Sequence, residues 1–151
     1  MNGCARRASR GCGSRARACA HDARRAMAPP ESVPRIQDSD QLAAECLAVE
    51  AACRPILLQL GSEKCPNCPA FTEAVEALAE EYEFEWRYCD AHEEGDIPET
   101  HGITKLPAVV IVRNGMSEID QQIDAARLRA MVRGLCARKR PADLNLFDAD
   151  F

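Results

Sequence analysis

The sequence lacks any long run of apolar residues, and the longest one, Leu106–Val112, spans seven positions. A helix that crosses a bilayer needs about 20 apolar residues, so the sequence predicts no membrane-spanning segment. It also lacks the apolar core of a secretory signal peptide. The chain has no excess of basic residues, since its formal net charge is −5. This argues against a nucleic-acid partner, because binding to phosphates needs a basic surface. What remains is a globular chain of 151 residues, the length of one domain.

The charge is unevenly distributed along the chain. Residues 1–28 hold seven arginines and one acid, Asp22, which leaves 12 basic and 23 acidic residues in the remainder. This segment has too little apolar surface to offset the entropy of ordering it, so residues 1–35 are predicted to form a disordered Arg/Ala-rich leader. Its composition is typical of an organelle transit peptide, which would place the protein in a mitochondrion or plastid. Alternatively, translation begins at Met27 and the protein is cytoplasmic.

The nine cysteines are a high and odd number. A secreted disulfide scaffold normally has an even number, so we expect a reducing compartment in which most thiols are free and one pair is reactive. Cys46 and Cys53 lie on the apolar stripe of a helix predicted over about 40–52, and we expect both to be buried packing residues. We expect the same role for Cys89.

Hydrophobic periodicity and turn residues predict an α/β fold in which a mixed central sheet is flanked by helices on both faces. A βαβ half is followed by a ββα half. The predicted order is helix 40–52, strand 56–60, helix 66–82, strand 84–88, a short helix within 90–101, strand 108–112, strand 117–121 and a final helix from 125. Asn114–Gly115 predicts a hairpin turn, and Asp124 predicts the N-cap of the final helix.

The motif that carries chemistry is Cys65-Pro66-Asn67-Cys68, placed where a buried strand leads into a helix. Unpaired N–H groups and the dipole at a helix start favour the thiolate of Cys65. The spacing of three brings Cys68 to the same side, close enough for a disulfide. Cys65 is therefore predicted to be an exposed nucleophile, and Cys68 the resolving thiol. Lys64 adds a positive charge beside Cys65 and Glu63 partly opposes it.

A zinc site is the alternative explanation of this motif. Cys65 and Cys68 could combine with Cys89 and His92, which are also three apart. The strand-to-helix context favours redox chemistry, so no metal site is predicted. His101 is expected to be a surface residue of the short helix.

Residues from about 55 to 136 resemble thioredoxin. Pro55–Cys68 resembles the family's strand, loop and active-site helix, His101–Val112 resembles the segment around its cis-proline, and Asn114–Gly115 matches the following hairpin. The resemblance implies that the Leu106–Pro107 bond is cis and lies beside Cys65, where it offers backbone groups to an extended substrate. It also implies a protein-disulfide reductase with no cofactor beyond the Cys65–Cys68 disulfide. Its partners would be protein disulfides and an upstream reductase.

Three departures from the family concern the surroundings of the dithiol. Lys64 stands where the family has Trp, and Pro66-Asn67 replaces its Gly-Pro dipeptide. Gln59 aligns with the family's buried Asp, and an amide cannot titrate as a carboxylate does. These departures leave the dithiol in place, but the family's redox potential and general substrate range do not carry over to this sequence.

The C-terminal segment, residues 138–151, is predicted to be a flexible tail that follows a thioredoxin-like domain over 36–137. Its end, Phe147-Asp148-Ala149-Asp150-Phe151, combines aromatic anchors with carboxylates, which is the composition of a docking peptide. The last four residues resemble the C-terminus of ribonucleotide reductase small subunits, with Phe147 in place of the family's Leu. The family's upstream Phe anchor aligns with Asn145.

This second resemblance implies that the tail docks on the ribonucleotide reductase large subunit, which the dithiol would then reduce. One alternative is a general thioredoxin-like reductase in which the tail has no role. Another is a non-catalytic adaptor that competes with the small subunit through the tail alone.

Overall fold

The computed structural model describes residues 29–50, 52–93 and 95–139. The predicted leader, up to residue 28, and the docking segment Phe147–Phe151 lie outside the described residues. Within the described part of the chain, no helix is both long and apolar enough to cross a membrane.

The chain folds into a mixed sheet with helices on both faces, and this confirms the predicted fold class. The helices are α1 Ser39–Glu50, α2 Cys68–Glu81, α3 Ile97–Thr100 and α4 Ala125–Leu135. The strands are β1 Ile56–Gly61, β2 Tyr82–Glu83, β3 Glu85–Asp90, β4 Ala108–Arg113, β5 Met116–Gln121 and β6 Ala137–Arg138. The main sheet has the order β3-β1-β4-β5, in which β1 is parallel to β3 and antiparallel to β4.

The core lies on both sides of β1, because neighbouring residues of a strand point to opposite faces. Leu57 packs with Phe71 and Val75 of α2 and Val132 of α4 on one face. On the other face, Leu58 packs in a cluster with residues of α1 and α3. Burying each such side chain contributes about 1.5–3 kcal/mol, so the continuous apolar run of β1 fixes it at the centre of the sheet.

The predicted turn and cap are both confirmed. Asn114 and Gly115 have φ angles of 52° and 72°, the two left-handed residues of a tight hairpin turn between β4 and β5. The side chain of Asp124 accepts a hydrogen bond of 2.8 Å from the backbone N–H of Arg127 and so caps α4.

Two local predictions are wrong. Helix α2 begins at Cys68 rather than Pro66, because Cys65–Asn67 form a turn in which the N–H of Cys68 bonds to the carbonyl of Cys65. Cys53 is exposed rather than buried, because α1 ends at Glu50 and Cys53 lies beyond it with φ of 56°. Cys46 is partly buried and packs against the core as expected.

The ordered structure extends further at both ends than the predicted domain of 36–137. At the start, the carbonyl of Pro34 accepts the N–H of Tyr88 in β3 at 3.1 Å. At the end, Arg138 belongs to β6, which pairs with β2 in a second, unpredicted sheet. Arg138 also forms an ion pair of 2.7 Å with Glu81. Arg138 and Lys139 are therefore part of the fold and not of a tail.

Candidate functional site

Cys65 and Cys68 form a disulfide across the turn that precedes α2, with their Cα atoms 5.4 Å apart. Cys65 is 7% exposed and Cys68 is 2% exposed. The predicted exposure of Cys65 is therefore wrong for this oxidised form, because its side chain turns inward to bond the buried Cys68. Cys65 nevertheless remains the more exposed of the two residues, and its neighbours Lys64, Pro66 and Asn67 are exposed.

Ser62 shapes the turn that carries Cys65. Its carbonyl accepts the N–H of Cys65 at 3.1 Å, and its hydroxyl accepts the N–H of Lys64 at 3.0 Å. Ser62 is 4% exposed, so it fixes this turn directly against the end of β1. Nothing in the sequence pattern pointed to it.

A groove of about 370 Å³ runs beside the disulfide turn. It brings together Asn67, Leu106 and Pro107, and the Leu106–Pro107 peptide bond is cis. The remaining lining residues come from the start of α2 and from the segment that leads into α4: Ala70, Phe71, Gln122, Ile123, Asp124 and Ala125. The sequence singled out Asp124 as a helix cap, but it gave no sign that this segment faces the groove.

The side chain of Gln121, at the end of β5, holds the loop that leads to the cis bond. Its Oε1 accepts the backbone N–H groups of Thr104 at 2.8 Å and Lys105 at 3.0 Å. Its Nε2 donates to the carbonyl of Gly102 at 3.0 Å. This amide therefore ties the end of β5 to the loop that leads to Leu106, a role that the alternating pattern of β5 could not reveal.

Beneath the disulfide, Gln59 is fully buried and both polar atoms of its amide have partners. Its Oε1 accepts the indole N–H of Trp86 at 3.1 Å, and its Nε2 donates to the hydroxyl of Thr72 at 2.7 Å. Thr72 in turn donates to the carbonyl of Cys68 at 3.0 Å. The position that aligns with the family's buried carboxylate thus takes part in a neutral hydrogen-bond network.

The alternative zinc set is not assembled. Cys89 is fully buried in the cluster of α1 and α3, on the opposite face of the sheet from Cys68. The described residues contain no group of three or more His, Cys, Asp or Glu side chains that could hold a metal ion. Cys89 packs in the core as predicted, and His101 is a partly exposed residue that caps the end of α3.

Cys136, at the end of α4, is not a second nucleophile. It belongs to the core cluster between α2, α4 and the sheet. Burial raises the pKa of its thiol to about 11, although the positive charge of Arg113 acts in the opposite direction. Among the described cysteines, Cys65 and Cys68 are the pair that the fold joins.

Comparisons with known proteins agree with this geometry. Residues 55–120 match a family model described as a thioredoxin domain. Thioredoxin from Fasciola hepatica is 17% identical, with a TM-score of 0.61 over 68% of this chain and 99% of that chain. A mutant thioredoxin from Halobacterium salinarum is 20% identical, with a TM-score of 0.59 over 76% of this chain and 98% of that chain. No curated protein sequence matches. Residues 55–120 are therefore similar to a thioredoxin domain, and the described part of the chain has the thioredoxin fold.

Proposed function

We propose that this protein is a thiol–disulfide oxidoreductase that reduces disulfides in other proteins. One observation carries the proposal: Cys65 and Cys68 already form a disulfide, and they do so beside a groove lined by Asn67 and Pro107. A dithiol next to a groove of this size can receive an extended peptide segment and exchange its disulfide.

The reaction proceeds in two exchange steps. The thiolate of Cys65 attacks one sulfur of the substrate disulfide, forms a mixed disulfide and releases the other substrate sulfur as a thiolate. The thiolate of Cys68 then attacks the sulfur of Cys65 and releases the second substrate thiolate. Two electrons pass to the substrate, and the protons lost by the two cysteines balance those taken up by its thiols. An upstream reductase returns the protein to its dithiol form.

The assignment of roles follows from accessibility. Cys65 attacks first because it is the more exposed of the two residues, and Cys68 resolves because it is nearly inaccessible to a second protein. The exposed side chains of Lys64, Pro66 and Asn67 meet the substrate around the disulfide, and the backbone of Leu106 binds the extended segment in the groove.

Reduction of a protein disulfide such as those of insulin, with a chemical dithiol as electron source, tests this function. Cys65→Ser should abolish turnover, whereas Cys68→Ser should accumulate a mixed disulfide with the substrate. Cys53→Ser is the matched control, because Cys53 is an exposed cysteine that does not line the groove. Turnover that survives Cys65→Ser would contradict the proposal.

A finer proposal concerns the partner. The likeness of Asp148–Phe151 to the docking peptide of ribonucleotide reductase small subunits supports a reductase that docks on the large subunit through its C-terminus. Tethering of this kind would raise the local concentration of the dithiol to roughly the millimolar range. This support comes from the sequence alone, since the segment lies outside the described residues.

Capture of a ribonucleotide reductase large subunit by the full chain, and by a chain without residues 145–151, tests the partner. We expect binding to be lost on truncation, and equal binding by both forms would rule out the docking role. A general reductase predicts that truncation leaves insulin reduction unchanged and that no large subunit is captured. An adaptor predicts capture and a cellular role that both survive Cys65→Ser.

A further inference from the structure

A chain of three hydrogen bonds runs along one face of the sheet and ends on the backbone of the resolving cysteine. It starts at the indole N–H of Trp86 in β3, passes through Gln59 in β1 and Thr72 in α2, and reaches the carbonyl of Cys68. The three donor–acceptor distances are 3.1, 2.7 and 3.0 Å. We refer to these four residues as the relay.

The direction of every bond in the relay is fixed by the chemistry of its members. An indole N–H can only donate, so the amide oxygen of Gln59 must face Trp86 and its NH₂ group must face Thr72. The hydroxyl oxygen of Thr72 accepts from that NH₂ group, which leaves its proton for the carbonyl of Cys68. Gln59 is 0% exposed and Thr72 is 5% exposed, so water cannot replace a lost partner without cost.

Among the described residues, the buried polar side chains are Gln59, Ser62, Thr72 and Asp90, of which Asp90 alone is acidic. Its Oδ1 accepts the backbone N–H groups of His92 and Glu93, at 2.9 and 3.3 Å. A Cβ atom on Gly61 would lie 3.1 Å from the Tyr88 hydroxyl and 3.5 Å from the sulfur of Cys68, and the guanidinium of Arg35 lies over the Tyr88 ring. The buried residues of α2 beside Thr72 are apolar.

We infer that Gln59 and Thr72 are positioning residues for the resolving step, which they serve by fixing the backbone of Cys68 through uncharged hydrogen bonds. The inference rests on the proposed function, in which Cys68 attacks the mixed disulfide on Cys65. Because the side chains of Trp86, Gln59 and Thr72 do not titrate near neutral pH, the pH dependence of this step follows the thiols without a separate titration from residue 59.

The two exchange steps can be measured separately with an aromatic disulfide reagent whose released thiolate absorbs visible light. Cys65 attacks it, forms a mixed disulfide and releases one coloured thiolate, at a rate that depends on reagent concentration. Cys68 then attacks Cys65 and releases the second coloured thiolate, at a rate that does not depend on it. A Cys65→Ser protein measured in parallel gives the signal of the remaining thiols, which is subtracted.

The informative substitutions change hydrogen bonding with little change in shape. Thr72→Val should slow the second phase about fivefold to tenfold and leave the first unchanged, as the loss of one buried hydrogen bond implies. Thr72→Ser should restore the rate. Gln59→Glu should add a second titration to the pH profile of that phase, because it introduces a carboxyl group. Val75→Ala removes buried packing from the same helix without touching the relay and should leave the second phase unchanged.

The outcomes distinguish the inference from the function on which it rests. If neither Thr72→Val nor Gln59→Glu alters the second phase seen in the wild type, the inference is overturned and the proposed function is unaffected. The same holds if Val75→Ala slows this phase as much as Thr72→Val does, because the effect would then be one of stability. If the wild-type protein shows no more reaction than Cys65→Ser, the proposed function fails, and the inference fails with it.

Discussion

The ring of Tyr88 lies directly over Gly61. A Cβ atom at position 61 would be 3.1 Å from the Tyr88 hydroxyl, 3.2 Å from Cε2 of its ring and 3.5 Å from the sulfur of Cys68. Glycine at the end of β1 therefore leaves room on one side of this strand for both Tyr88 of β3 and the sulfur of Cys68. The close approach of these side chains favours glycine here, and its backbone is not left-handed.

Gly61→Ala should lower the free energy of unfolding by about 1–3 kcal/mol, because the added methyl group overpacks a buried site. Denaturant unfolding of the oxidised protein measures the change. Gly134→Ala is the control: no atom lies within 4 Å of its added Cβ, and in helix α4 it should stabilise by up to about 1 kcal/mol. Equal stability of Gly61→Ala and the wild type would show that the ring moves aside freely.

Gln121→Leu should loosen the loop before the cis bond without disturbing the core. The backbone N–H groups of Thr104 and Lys105 lose their acceptor, so their hydrogen exchange should accelerate, by about fivefold or more if each bond contributes about 1 kcal/mol. Amide exchange followed by mass spectrometry measures this. The amide of Val110 in β4 is the internal control and should keep its protection; faster exchange there as well would indicate general destabilisation instead.

Cys136 should resist alkylation at neutral pH, whereas the exposed Cys53 should react. Raising the pKa of the Cys136 thiol from 9.0 to about 11 makes its thiolate about 100-fold scarcer below pH 9. Iodoacetamide labelling of the native protein, with the modified sites located by peptide mapping, compares the two residues. Equal labelling of both would contradict the burial of Cys136.

The same raised pKa predicts a loss of stability at high pH. The unfolded chain releases the Cys136 proton near its ordinary pKa, while the folded chain retains it until the pH approaches about 11. Folding therefore becomes less favourable as the pH rises above about 9. Cys136→Ala should remove this part of the pH dependence, which thermal unfolding on both sides of pH 9 would show. A wild-type slope that persists in the variant would assign it to other groups.

Glu81 joins the end of α2 to α4 and β6 through ion pairs with Arg129 and Arg138. Its hydrogen bonds to Arg138 and then to Arg129 lower the pKa of its carboxyl below 4.5. The ion pairs of Glu81 therefore stabilise the fold fully above about pH 4.5. This stabilisation is lost as the pH falls through the lowered pKa of the carboxyl group. Because these groups are exposed, we expect Glu81→Gln to lower the melting temperature only slightly at neutral pH and not at all in strong acid. A difference that persists in acid would contradict an ionic origin.

Local sequence chemistry predicted several parts of this molecule well. Asn114–Gly115 and Asp124 were informative because a hairpin turn and a helix cap each depend on a few adjacent residues. The start of α2 was predicted two residues early, at Pro66 instead of Cys68. Helix propensity does not reveal the turn that brings Cys65 to Cys68. Cys53 was wrongly predicted to be buried for a related reason. Its position continued the apolar spacing of the helix, but helix α1 ends before it.

The sequence by itself determined the order of strands and helices, the dithiol at a strand-to-helix junction and the buried position of β1, because apolar spacing and turn residues act over a few positions. Only the tertiary structure decided which distant side chains meet. Gln59 forms hydrogen bonds with Thr72 and Trp86, which are 13 and 27 residues away in the sequence. Arg138 forms one with Glu81, which is 57 residues away. Hydrophobic periodicity indicates which face of a strand or helix a side chain occupies. The partner of that side chain depends on strand register and on distances of a few ångströms, and only the whole fold sets these.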